Sequence, residues 1–387
     1  MPQTDQPSAL TATDRAHKRL YLPGLDGLRG LAVLLVMAYH FVGFIDPAKL
    51  GTALLRSSMS AGWVGVEIFF VLSGFLITGI LLDSKAEAHY FRNFYAKRVL
   101  RIFPLYYAVL CLLLIYSAYF YWASLSPPIS LIDQLWLWLF ASNIPLMTGS
   151  TLFTSGQFTF NHFWSLAIEE HFYLIWPIVV LRFSSRQLFR VSLTVFVAAV
   201  LLRILLFPLI GGRGVYHFTL CRVDGLALGA FLSLLFRSKP SSTLLLNVAR
   251  AVMAVSFAGL CAIALWRGGL RNTDRAVQMF GYSLIALAAA GLLTLVVWGD
   301  PVGLIQRAFS SRPLRFFGVY SYGIYVFHGV LRPCFASMIP HLENHVQSYA
   351  LVAALYLLIS MSSSVLLAVI SYQFYELRFL RLKRRFE

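Results

Sequence analysis

The sequence predicts an all-α protein, a polytopic bundle of about ten transmembrane helices with both termini in the cytoplasm. Three observations lead there. Of the 387 residues, 59% are hydrophobic and 12% charged, with a mean hydropathy of +0.72. A soluble domain carries roughly 25% charged residues, so this chain lacks the charge to cover a water-facing surface. Ten apolar stretches reach or approach the about 20 residues that cross a bilayer. Lys and Arg also alternate between the connecting segments. With the N-terminus inside, twenty-one fall in inner segments and seven in outer ones, which is the positive-inside bias. The same distribution accounts for the net charge of +16. It argues against a nucleic-acid partner, because the positive residues are spread between apolar stretches and not gathered on one soluble face. A disordered chain, a secreted disulfide scaffold and a soluble enzyme are excluded.

Taken in order, residues 1–27 form a polar cytoplasmic tail with Arg15, Lys18 and Arg19 before the first span and no cleavable signal peptide. The membrane domain, 28–374, contains spans near 28–44, 63–82, 103–122, 163–182, 189–210, 222–237, 244–266, 279–298, 318–338 and 349–374. The sixth is short. The segment 131–147 is apolar and Trp-rich but holds Asp133, Asn143 and Pro145, so it reads as interfacial or re-entrant, with an eleventh span as the alternative. No fixed-period repeat occurs. Residues 375–387 make a basic cytoplasmic tail. Cys111, Cys221, Cys261 and Cys334 lie in or beside apolar stretches without metal-ligand spacing. No glycine loop for phosphates is present. The expectation is therefore no metal and no tightly bound cofactor.

Charges within the spans carry the functional signal. Each costs about 2.5–3.5 kcal/mol to insert, which makes it a functional candidate, although a polar contact between helices accounts for such residues equally well. At 1.5 Å per residue, His40 lies about 18 Å from the inner edge, Glu67 about 6 Å and Glu169 about 9 Å below the outer edge. Arg203 reaches a similar outer-half depth, Asp224 lies just under the outer edge, and Tyr173 and His328 sit near the midplane. This clustering predicts a water-accessible cavity in the middle-to-outer layer.

Arg29 and His40 are eleven residues apart, a residual rotation of about 20° on a helix. They share one stripe and can line one channel. A neutral imidazole at His40 suits general-base work on a hydroxyl, while Arg29 taken alone reads better as a snorkelling inner-edge arginine. Arg98 and Arg101, with Lys97, form a cluster at the cytoplasmic surface before Pro104. It fits a headgroup anchor or a phosphate clamp. Glu169 and Tyr173 share a helix face at i, i+4.

The motifs resemble the acyltransferase-3 family of bacterial integral-membrane O-acyltransferases from about residue 22 to about 376. GLDGLRGLAVLLVMAYHF matches the family's first span, with its Arg/Lys-x10-His pattern at Arg29 and His40. GVEIFFVLSGFLIT resembles the second span. FYAKRVLRIFPLYY carries the Arg-x-x-Arg motif at Arg98 and Arg101. FWSLAIEEHFYLIWP resembles a WSLAVEEQFYLLWP-like segment, with Glu169 and Tyr173 in its Glu-x3-Tyr pair and His171 where glutamine is common. CRVDGLALGA, SYGIYVFH and SYQFYE match later blocks.

The resemblance implies transfer of an acyl group, by default acetyl, from cytosolic acyl-CoA as co-substrate. The acceptor would be a hydroxyl on a sugar of a surface or exported glycan, a lipid-linked saccharide or a macrolide-like molecule, at the inner (plasma) membrane. His40, Arg29 and Glu169 would be catalytic and Arg98 and Arg101 would hold the donor. By their depth, and not by the resemblance, Glu67, Arg203 and Asp224 would join Tyr173 in contacting the acceptor. Some members carry a C-terminal SGNH-type domain. Here the chain ends about 13 residues after the last span, so the expectation is a stand-alone enzyme, any second step falling to a separate extracytoplasmic transferase. An acyl-His40 intermediate is an alternative route. The rival reading is a transporter or flippase for a lipid-linked sugar or small metabolite, which intramembrane charges suit as well.

Overall fold

A computed structural model describes residues 22–46, 49, 61–122, 129–149, 154–155, 158–238 and 241–386. The predicted cytoplasmic tail lies largely outside the described residues. Its last part does not: α1 begins at Pro23, which occupies the first helical turn, and runs to Val42. Pro fits there because its missing N–H would be unpaired anyway.

The next helices are α2 (Gly65–Asp83) and α3 (Tyr90–Trp122). α3 starts thirteen residues before the predicted third span. Its first turns carry Arg92, Lys97, Arg98 and Arg101, residue types that lower hydropathy without opposing helix formation. The Trp-rich segment forms two short helices, α4 (Leu131–Trp138) and α5 (Asn143–Met147), with Phe140 at φ 52° between them. Neither can cross a bilayer. A two-stranded antiparallel pairing joins Thr154 to Thr159 and Ser155 to Phe158.

Long helices follow in α6 (Trp164–Arg182), α7 (Ser185–His217) and, after the shorter α8 (Asp224–Arg237), in α9 (Ser242–Arg267) and α10 (Tyr282–Trp298). α7 starts at a capping box of Ser184 and Gln187 and is interrupted at Gly211, whose φ of 65° is left-handed. α9 ends at Gly268, also left-handed at φ 72°. Five short helices come next: α11 (Leu304–Phe309), α12 (Arg312–Val319), α13 (Ser321–Val330), α14 (Arg332–Ala336) and α15 (Met338–His345). α16 (Tyr349–Ser371) continues through a π-helical turn at Tyr372–Glu376 into α17 (Leu377–Leu382).

By length and apolarity, eight helices among the described residues can span a membrane. The other two predicted spans take a different form. α8 has 14 residues, or about 21 Å, short of the about 30 Å hydrocarbon core. The stretch 318–338 is broken among α12, α13 and α14, with Pro333 opening α14. Broken or short helices are tolerated at membrane depth where protein covers them. Buried residues on both elements, among them Leu226, Ala227, Ile324 and Val326, show that protein does.

Two close crossings fix the centre. A Cβ on Gly74 would collide with the Leu226 carbonyl, and one on Gly229 with the Val71 carbonyl, so α2 and α8 touch backbone to backbone. Gly27, Gly30 and Gly318 do the same for α1 against α11 and α12. Small residues give this approach where the hydrophobic effect cannot drive helices together. The largest buried cluster, including Phe70, Tyr106, Phe163, Trp164 and Tyr173, joins α2, α3, α6 and α13. Exposed Leu193, Leu201 and Leu205 on α7 and Val255 and Phe257 on α9 present apolar surface outward, as lipid contact requires.

Candidate active site

A cavity of about 310 Å³ opens among α1, α2, α3, α6 and α13. Its polar lining is Arg29, Ser73, Arg98, Arg101, Ser165, Glu169, Tyr173, Ser321, Tyr322 and Tyr325, set among Val36, Phe70, Leu72 and Ile102. Five of the residues singled out from sequence therefore share one wall: Arg29, Arg98, Arg101, Glu169 and Tyr173. The longer α3 explains how. Arg98 and Arg101 lie eight and eleven residues into it, about 12 and 16 Å along the axis, and not at its surface edge. A second cavity of about 170 Å³ shares Arg29, Arg101 and Tyr322 with the first. It is also lined by Asp26, Tyr372, Glu376 and Leu380.

Within the larger cavity Glu169 is the acceptor of a short relay. Tyr173 donates its hydroxyl hydrogen to Glu169 Oε2 at 2.8 Å, and Ser73 bonds to the Tyr173 oxygen. A phenol has one hydrogen to give, so Ser73 donates to Tyr173. The Arg98 guanidinium lies over the Tyr173 ring, 5.8 Å from its centroid. Arg29 donates to Asp26 at 3.2 Å, one turn away. Lys97 and Lys383 add to the positive charge around these arginines: Arg29, Arg98, Arg101 and Lys97 all act on Lys383, whose terminal turn packs on α3.

The depth argument grouped Glu169 with Glu67 and Arg203, and the structure separates them. Glu67 pairs with Arg222, and Arg203 with Asp224 at 2.9 Å. Ser283 donates to Asp224 Oδ2 at 2.8 Å and accepts from Arg203. All four ionic side chains are 0–1% exposed. Arg222 also stands 3.9 Å above the Tyr282 ring, boxed in by Trp164 and Tyr216. Glu67, Arg203 and Asp224 thus belong to a closed, charge-balanced network between α2, α7, α8 and α10, not to an acceptor wall. Counting residues from an assumed interface ignores tilt and staggered helix starts, and that count produced the wrong grouping. Arg222, at the very start of the sixth predicted span, is the network's second cation.

His40 also departs from expectation. It lies in the last turn of α1, about 26 Å from the helix start. Val36, one turn below, lines the larger cavity and His40 does not, so no single channel along α1 joins Arg29 to His40. His40 Nδ1 is instead 2.9 Å from His328 Nε2, the rings stacked with centroids 5.1 Å apart. His328 is fully buried and its Nδ1 is 2.9 Å from the Ile324 carbonyl. The His162 ring packs against the bare Gly329 backbone, 5.8 Å from His328. Between these histidines and the cavity stands Tyr325, bonded to Ser165 at 3.0 Å and donating to the His162 carbonyl. Ser73, Tyr322 and Tyr325 escaped the sequence reading because a hydroxyl residue in an apolar span leaves no signal of its own.

Residues 22–370 match the acyltransferase domain family. Peptidoglycan O-acetyltransferase OatA of Listeria monocytogenes is 30% identical over 336 residues, 81% of this chain and 49% of that protein. O-acetyltransferase OatA of Staphylococcus aureus is 27% identical over 380 residues, 94% of this chain and 58% of that protein. The chain thus spans about half the length of the curated relatives it matches. No solved structure matches. With nearly its whole membrane domain covered by that profile, the chain belongs to the acyltransferase-3 family of integral-membrane proteins.

Proposed function

We propose that this protein is a membrane O-acetyltransferase that takes acetyl from acetyl-CoA and places it on a sugar hydroxyl of a cell-envelope glycan. The observation that carries the reading is the cavity where Arg29, Arg98 and Arg101 stand beside Glu169 and Tyr173. Arginine forks match phosphate oxygens, and the donor is a polyanion. A volume of about 310 Å³ is at the low end for ligand pockets. It suits the thin pantetheine arm and leaves the nucleotide to the surrounding positive charge. The acceptor class follows the names of the relatives, which are peptidoglycan O-acetyltransferases or O-acetyltransferases.

In the reaction, His40 takes the proton of the acceptor hydroxyl as its oxygen attacks the thioester carbonyl. The C–S bond breaks, the thiolate leaves and receives that proton, and the products are the acetyl ester and free CoA. From Arg29 to His40 is about 16 Å along α1. An extended arm can cover that distance once the Tyr325 side opens.

The test is incubation of purified, membrane-reconstituted protein with radiolabelled acetyl-CoA and peptidoglycan fragments, reading free thiol and label on sugar. Label transfer that His40→Ala abolishes is the expected result. A transporter would release no thiol and transfer no label, and that outcome overturns the proposal.

A further inference from the structure

We infer that His328 is a positioning residue that holds His40 in the one tautomer able to act as a base through Nε2. This rests on the role proposed above for His40. A carbonyl oxygen only accepts, so the 2.9 Å contact between His328 Nδ1 and the Ile324 carbonyl requires the hydrogen on His328 Nδ1. Neutral His328 then presents a lone pair at Nε2. That atom lies 2.9 Å from His40 Nδ1, which must therefore carry a hydrogen and donate it. His40 Nε2 is left without a hydrogen and free to accept one from a substrate hydroxyl.

The alternative, a His328 imidazolium donating at both nitrogens, would place a charge in a fully buried site. The charged side chain acting on both histidines is Arg332, itself a cation, so among the described residues no carboxylate compensates that charge. Burial also divides the labour. His328 is 0% exposed and cannot touch a substrate, whereas His40 is partly exposed. The chain of contacts runs from the α13 backbone through His328 to His40. It supplies what a carboxylate or carbonyl supplies to the base in other sites, a fixed ring orientation and a fixed tautomer.

His328→Leu keeps the volume and removes the acceptor, and His328→Gln places an amide oxygen near the position of Nε2. Both are purified and checked for cooperative thermal unfolding before acetyl transfer is measured. His328→Leu should lose about 10- to 100-fold in kcat with KM for acetyl-CoA unchanged, and His328→Gln should recover most of it. Nitrogen NMR of histidine-labelled protein should show the His40 ring, identified by its absence in His40→Ala, losing its fixed Nδ1–H state in His328→Leu. Wild-type turnover in folded His328→Leu, or an equal deficit in both His328 variants, overturns the positioning role. His40→Ala, run alongside, separates the layers. Normal transfer there removes His40 from the reaction and this assignment with it. A dead His40→Ala beside a fully active His328→Leu overturns the pairing alone.

Discussion

Arg222→Met is the sharpest probe of the closed ionic network. It keeps the packing against Tyr282 but leaves the Glu67 carboxylate at 0% exposure without its partner. Breaking one side of a buried pair costs about 3–5 kcal/mol, because the remaining charge stays desolvated. At about 1.4 kcal/mol per decade, the folded-to-unfolded ratio should fall roughly 10²- to 10⁴-fold. Glu67→Met alone should cost a similar amount by stranding Arg222. The double variant replaces both charges with apolar groups and should return to within about 1 kcal/mol of wild type. Unfolding in mixed micelles with a rising fraction of denaturing detergent gives all four corners of the cycle. Transfer by the double variant should retain the wild-type KM for acetyl-CoA. The opposite pattern is wild-type stability in Arg222→Met with a raised KM for the acceptor. It would return Glu67 to the acceptor site and refute the reasoning from burial.

Further outcomes follow from the geometry and from the charge distribution. Arg98→Ala and Arg101→Ala should each weaken acetyl-CoA binding by the loss of a charge-assisted hydrogen bond, about 1.5–3 kcal/mol, read by calorimetry on purified protein. Unchanged affinity in both would leave the pair as a topology anchor. His40→Ala should insert and bind acetyl-CoA normally but lose about 10²–10⁴-fold in single-turnover transfer, and Arg29→Lys should retain more activity than Arg29→Ala because it keeps the charge without the planar fork. Reporter fusions should place the C-terminus in the cytoplasm and the segment 123–162 outside, as the Lys/Arg distribution requires.

The all-α membrane bundle was legible because hydropathy acts over whole segments. Five of the cavity's residues were legible singly, because Arg29, Arg98, Arg101, Glu169 and Tyr173 are costly or polar in apolar surroundings, but the expected cavity held only Glu169 and Tyr173 of them and joined them to His40, Glu67 and Arg203 instead. Hydropathy misplaced the start of α3, since Lys97, Arg98 and Arg101 lower the average while remaining good helix formers. It also counted the run from α12 to α14 as one span, because an apolar stretch does not reveal that a Tyr320 junction and Pro333 break it, and it counted α8 as a span although its shortness was already visible. The pairings Glu67–Arg222 and His40–His328 join residues 155 and 288 positions apart. A single sequence holds no signal for such contacts. His328 therefore reads from sequence as an independent midplane histidine, and it would make a poor control for a His40 substitution.

On the proposed reaction, α1 acts as a ruler between the two ends of the donor. Arg29 lines both cavities, and His40 lies three turns along nearly the same stripe. The separation is set by helical rise, about 16 Å, and not by a flexible loop. Gly27 and Gly30 remove any side chain between α1 and the backbone of α11 and α12, so the ruler cannot slide without parting those contacts. The histidine end is held by His328 on α13, and Tyr325 on that same helix closes the cavity against Ser165 and His162. The side chain that closes the cavity and the side chain that meets His40 thus share one ten-residue helix.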